Sequence, residues 1–124
     1  MRPVLTTINL SAPDAHTLAA FYAALLGWDV AADEPDWVMI GDPAGGTRLS
    51  FQTEPSYARP VWPAEDGTQQ MMMHLELRVD ELGPAVARAT ELGATLAAHQ
   101  PQADVRVCLD PAGHPFCLWV ESGD

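Results

Sequence analysis

The chain has 124 residues, enough for one domain whose core folds without staples, and 48% of them are hydrophobic, which argues against disorder. Six arginines and no lysine stand against 17 acidic residues, a net charge of −11. That excess repels phosphate backbones and anionic lipid heads, so nucleic acid and membrane partners are set aside, and the lack of lysine excludes Schiff-base chemistry.

Thr7 to Leu10 alternates polar and apolar residues and reads as a half-buried strand. Asp14 is placed to cap a helix carrying Leu18, Phe21, Tyr22, Leu25 and Leu26, and Gly27 stops it. Trp28-Asp29-Val30 opens a strand, and Asp36 to Gly41 is another. The turn Asp42-Pro43-Ala44-Gly45-Gly46 leads into an alternating strand, Arg48 to Gln52. Thr53 to Gln70 is interrupted by Pro55, Pro60, Pro63 and Gly67. It reads as a connector and not a disordered tail, because Tyr57 and Trp62 give it something to bury.

The pattern then restarts. Met73 to Val79 alternates, with Leu75, Leu77 and Val79 on one face and His74, Glu76 and Arg78 on the other. Asp80 or Glu81 opens a helix with Leu82, Val86, Ala89 and Leu92, stopped by Gly93. Ala94 to Ala97 is a short strand, Val105 to Leu109 a longer one, Asp110-Pro111-Ala112-Gly113 a turn, and Phe116 to Val120 the last strand. Asp14 and Gly27 are matched by Asp80 and Gly93, and the Asp-Pro-Ala-Gly turn occurs twice. The expectation is an α+β fold of two βαβββ modules, about 4–52 and 71–122, joined by the connector 53–70 in a single domain.

Three segments carry a resemblance to a known family. Asp14-Ala-His-Thr-Leu-Ala-Ala-Phe-Tyr-Ala-Ala-Leu-Leu-Gly27 resembles the first-helix signature of the vicinal-oxygen-chelate (glyoxalase/bleomycin-resistance) superfamily. His74-Leu-Glu-Leu-Arg-Val-Asp-Glu-Leu82 resembles its second-module strand, and Asp110-Pro-Ala-Gly-His-Pro-Phe-Cys117 its last hairpin. The resemblance implies curved mixed sheets around a cavity, with helices on the outer faces, and pairing as a homodimer. It also implies a divalent metal held by one inward residue on each of four strands, usually His, Gln or Glu.

On this chain those positions fall on Thr7 or its neighbour Ile8, on Ser50 or Leu49, on His74, and on Cys117, where the family has glutamate. His74 alone is a usual ligand there, so the family's metal site reads as largely lost and no cofactor is assigned beyond an optional divalent metal. Gln52 shares a face with Ser50. Cys108, placed opposite Cys117 across the last hairpin, would make with His74 a soft site suited to zinc. The repeat instead puts Val105 and Val107 on that face, and the sequence leaves both placements open.

The remaining cavity wall is expected to comprise Asn9, Trp37, Met39, Arg48, Met72, Glu76 and Trp119, a mixture suited to a flat apolar or aromatic ligand. Trp62 is placed at a cavity mouth or a dimer interface. The leading expectation is a protein that binds a small organic molecule without chemistry, as the family's antibiotic-sequestering members do. The alternatives are a metal-dependent lyase, isomerase or dioxygenase using His74 with Gln52 or Glu76, and a metal-free enzyme with Glu76 or His74 as general base. No apolar run nears the roughly 20 residues of a membrane span, and Met1 to Thr7 lacks a signal-peptide core. The expected compartment is the cytoplasm.

Overall fold

A computed structural model of the chain describes residues 1–121. It contains β1 (Thr7–Ala12), α1 (Ala15–Leu26), β2 (Asp29–Glu34), β3 (Trp37–Gly41) and β4 (Arg48–Thr53). These are followed by β5 (Leu75–Arg78), α2 (Leu82–Leu92), β6 (Thr95–Leu96), β7 (Val105–Leu109) and β8 (Pro115–Trp119). Both halves are therefore βαβββ modules, as the repeat predicts. The strand orders agree as well, β1-β4-β3-β2 in the first sheet and β5-β8-β7-β6 in the second. In each, the first strand runs parallel to the last and the other neighbours are antiparallel, so both sheets are mixed.

The chain forms two compact units, Met1–Tyr57 and a second that begins at Ala58. The connector is thus divided. Tyr57 closes the first unit, its N–H donating to the Glu54 carbonyl at 3.1 Å. Trp62 belongs to the second, half-buried with its ring 5.7 Å from that of His99.

In the first unit α1 packs on β1, β3 and β4. The core beneath it is Leu18, Phe21, Tyr22, Val38, Ile40, Leu49 and Phe51, all 5% exposed or less. Tyr22 and Phe51 stack at 5.8 Å. The helix begins where the sequence predicts: Asp14 accepts from the His16 N–H at 3.2 Å and the Thr17 hydroxyl at 2.7 Å. Those bonds, Thr17 first, hold the Asp14 carboxyl below its ordinary value. Thr53 adds a cap from β4, accepting the Ala15 N–H at 2.9 Å. Gly27 ends the helix with φ of 68°, a left-handed backbone that glycine adopts without strain.

In the second unit α2 packs on β6, β7 and β8 over Ala89, Cys108, Phe116 and Leu118. Its N-cap is Glu81, with no side-chain cap bond, so Asp80 does not repeat the role of Asp14. Strand β6 is only two residues long, and Gln100 continues its pairing. The Gln100 amide donates to the carbonyls of Ala97 and Val107 and accepts the Val107 N–H, at 2.8 to 2.9 Å.

The two Asp-Pro-Ala-Gly turns share a backbone plan but differ in burial. Asp42 and Asp110 each accept the N–H two residues on, at 2.9 and 3.0 Å. Asp110 is 1% exposed and also accepts the His114 N–H at 2.9 Å, whereas Asp42 is exposed. Arg59 crosses the second turn and donates to the Pro111 carbonyl at 3.1 Å.

Candidate functional site

Each sheet has one face turned to its helix and one turned away. Strand alternation decides which residues occupy the open face. In the first unit Val38, Ile40, Leu49 and Phe51 are buried against α1, so Thr7, Asn9, Ser11, Trp37, Met39, Arg48, Ser50 and Gln52 point the other way. Register lays them out as neighbours. Ser50 sits between Asn9 and Met39, and Gln52 between Ser11 and Trp37. The Asn9 amide donates to the Ser50 hydroxyl at 2.7 Å. Leu49 is buried on the helix side, which makes Ser50 the open-face residue of that pair. Ile8, adjacent to Thr7, likewise takes the opposite face. Trp37 and Met39 are half-buried.

In the second unit the open face carries Glu76 and Arg78 from β5, Cys117 and Trp119 from β8, and Val105 and Val107 from β7. His74 lies just ahead of β5, on the same side, with its Nε2 3.1 Å from Glu76 Oε2. Arg78 pairs with Glu121 at 3.2 Å. Met72 lies ahead of β5, is 76% exposed, and no strand pairing assigns it to this face.

The hairpin corrects one expectation. Cys117 pairs with Val107, and Cys108 pairs with Phe116. Adjacent pairs alternate faces, so Cys108 and Cys117 point to opposite sides of the sheet and the Cys108–Cys117–His74 site does not form. The repeat's placement of Val105 and Val107 on the open face is the one the structure adopts. Cys108 is 1% exposed, and burial, with a smaller effect of Cys117, pushes its thiol up to about 11. Cys117 is half-buried; burial, then the Glu76 carboxylate, raises its thiol above the ordinary value. Thiolate is the reactive form. Iodoacetamide at mildly alkaline pH is therefore expected to label Cys117 slowly and Cys108 only after unfolding. Peptide mass spectrometry checks this, and equal labelling of both in the folded protein would contradict the register.

Among the described residues, one group of His, Cys, Asp or Glu side chains is placed to hold an ion: His74, Glu76 and Cys117, with ligand atoms within 4.8 Å of one another. A four-strand metal set would also draw on Thr7 and Ser50. These offer only hydroxyls, and that of Ser50 already accepts from Asn9. The donors present thus fit a divalent ion in the second unit, through nitrogen, oxygen and sulfur, and fit one poorly in the first.

The sequence reading ended the first strand at Leu10 and so missed Ser11, which the structure includes in β1. The alternation Thr7, Asn9, Ser11 was the available signal.

A comparison with curated proteins finds no match. A family model described as a glyoxalase-like domain matches residues 7–119. Solved structures with the same fold include a glyoxalase/bleomycin resistance protein/dioxygenase family enzyme from Burkholderia phytofirmans. It is 20% identical with a TM-score of 0.70, over 94% of this chain and 97% of that one. A glyoxalase-related enzyme from Fulvimarina pelagi is 19% identical with a TM-score of 0.68, over 98% and 89%. An antibiotic binding protein from Streptomyces is 20% identical with a TM-score of 0.62, over 98% of both chains. With its two βαβββ modules and a family match spanning nearly its whole length, the chain belongs to the glyoxalase-like family of the vicinal-oxygen-chelate superfamily.

Proposed function

We propose that this single glyoxalase-like domain binds a small, largely apolar or aromatic organic molecule and acts by holding it, as in antibiotic sequestration. One observation carries the reading: the open face of each sheet bears half-buried aromatic and apolar side chains set among hydrogen-bonding groups. Trp37 and Met39 stand beside Gln52 and Ser50, and Trp119 and Val105 stand beside Cys117 and Arg78. Such surfaces gain from covering apolar area while a few polar groups orient the ligand. The Streptomyces protein of this fold is an antibiotic binding protein, which gives antibiotic holding a precedent on the fold. A net charge of −11 favours cationic aromatic compounds through long-range steering. The two free cysteines suit a reducing cytoplasm, and we propose a homodimer there, to be checked by light scattering.

The test is tryptophan fluorescence against a panel of cationic and neutral aromatic drugs. Saturable quenching is expected for at least one class, reduced in Trp37→Phe or Trp119→Phe. His74→Ala is expected to weaken binding at least roughly tenfold while leaving the melting temperature nearly unchanged, since its side chain is 32% exposed and outside the helix-packed core. No saturable quenching by any compound, or a His74→Ala protein that melts early and binds normally, would count against the proposal.

A second reading, metal-dependent lyase, isomerase or dioxygenase chemistry, is favoured by the grouping of His74, Glu76 and Cys117. A divalent ion held by these residues would polarise an oxygen of the bound molecule. Turnover by metal-loaded protein that chelation abolishes would favour it over holding alone.

A further inference from the structure

Strand register relates the two modules position by position. Asn9 lies opposite Ser50 in the first, and Glu76 lies opposite Cys117 in the second, each on a parallel first-to-last strand pair. Two residues ahead of Asn9 is Thr7, and two ahead of Glu76 is His74. The same three backbone positions thus carry Thr7, Asn9 and Ser50 in one module and His74, Glu76 and Cys117 in the other. The first triplet is two hydroxyls and an amide, closed by the 2.7 Å bond between Asn9 and Ser50. The second is an imidazole, a carboxylate and a thiol.

We propose that His74, Glu76 and Cys117 form a binding site for one thiophilic divalent ion of the zinc class, carried by three donors of the second module with a coordination position left open. This departs from a set of one ligand per strand, because Glu76 shares β5 with the segment that supplies His74 and is not one of the four family positions. Around a tetrahedral zinc, bonds of about 2.0 to 2.3 Å put donor atoms roughly 3.5 Å apart. His74 and Glu76 are already 3.1 Å apart, and no donor pair exceeds 4.8 Å. Side-chain rotation of about an ångström closes the set, well within the reach of staggered rotamers. Sulfur selects the ion: thiolate favours zinc, cobalt and cadmium over magnesium, calcium and manganese, which an all-oxygen set would take. The exposed Glu76 gives a hydrated ion a way in. Three protein ligands with a free fourth position leave room for water or for a donor atom of an organic ligand.

This inference rests on the same three residues as the second functional reading, and because it is read without activity, a failure of ion binding and a failure of turnover are distinguishable. Reduced, chelator-stripped protein is titrated with cobalt(II) and then zinc(II). One cobalt per chain is expected, with a near-ultraviolet sulfur-to-cobalt charge-transfer band that zinc removes and magnesium or manganese does not. Cys117→Ser should lose the band, and His74→Ala and Glu76→Gln should weaken zinc binding at least roughly tenfold. Cys108→Ala should keep the band, since that thiol faces the other side. If Cys117→Ser fails to fold, protection of Cys117 from alkylation by zinc in the unaltered chain decides the matter. Absence of cobalt binding, binding without the band, a band that survives Cys117→Ser, or no zinc protection would overturn the site.

Discussion

Phe51→Ala is expected to cost the protein about 3–5 kcal/mol, the range for deleting a fully buried aromatic ring. Phe51 is 0% exposed and lies at the middle of β4, opposite Leu10 on one side and Val38 on the other. Its ring stacks on Tyr22 of α1, so it joins helix to sheet as well as strand to strand. Alanine would leave a cavity that rigid strands on both sides cannot close. Since small domains hold only about 5–15 kcal/mol in all, most of the margin would go. Urea denaturation measures the loss. Phe51→Leu, which keeps most of the volume, should cost less than half as much. A loss below about 1 kcal/mol for Phe51→Ala would mean that this ring is not central to the unit.

Gly113→Ala is expected to cost about 2–4 kcal/mol, and Gly45→Ala only about 1–2, although they sit in identical turns. Their φ angles are nearly the same, 91° and 94°, so both substitutions force an alanine into a backbone region that L-residues avoid. The surroundings differ. A Cβ at position 45 would meet open space, whereas one at position 113 would lie 2.5 Å from Arg59 Cγ. Arg59 would have to swing its whole stem away and give up its bond to the Pro111 carbonyl. Thermal melts of the two variants give the comparison. Arg59→Ala in the Gly113→Ala background should return part of the loss. Equal costs for the two glycines would refute the contribution of that contact.

The alternation of the strands, the two helices with their glycine stops and the duplicated turn were all legible in the sequence, because each is a local pattern. Period-two alternation placed Asn9, His74, Glu76 and Arg78 away from the helices without knowledge of their partners. What the sequence could not specify was register through the turns. From the Asp-Pro-Ala-Gly turn to β4 or β8, the first module has one residue more than the second, so Ser50 corresponds to Cys117 while Met39 corresponds to Val107. A shift of one residue exchanges the faces of a strand. Placing Cys108 against Cys117 assumed a hairpin loop one residue too long. The bond from Asp110 N–H to the His114 carbonyl, at 2.9 Å, fixes the shorter one. Of the two residues the sequence offered to open α2, Asp80 and Glu81, the structure makes Glu81 the N-cap, with no side-chain cap bond. Gln100, which completes the sheet beside β6, carries no signal at all, since nothing in a lone glutamine marks it as a substitute for strand backbone.

The matched triplets, Thr7-Asn9-Ser50 and His74-Glu76-Cys117, show that one scaffold repeated within a chain need not carry the same chemistry twice. In the first, Asn9 and Ser50 bond to each other while Thr7 bonds outside the triplet, to Thr6. An imidazole, a carboxylate and a thiol in the same frame stay available to something from outside. An ion proposed at the second triplet would add a demand to that half alone, beyond those of folding and of the proposed organic ligand. Sequence tolerance should accordingly differ in kind, with positions 9 and 50 held to a pair that can bond at the buried Ser50 and positions 74, 76 and 117 held to metal donors.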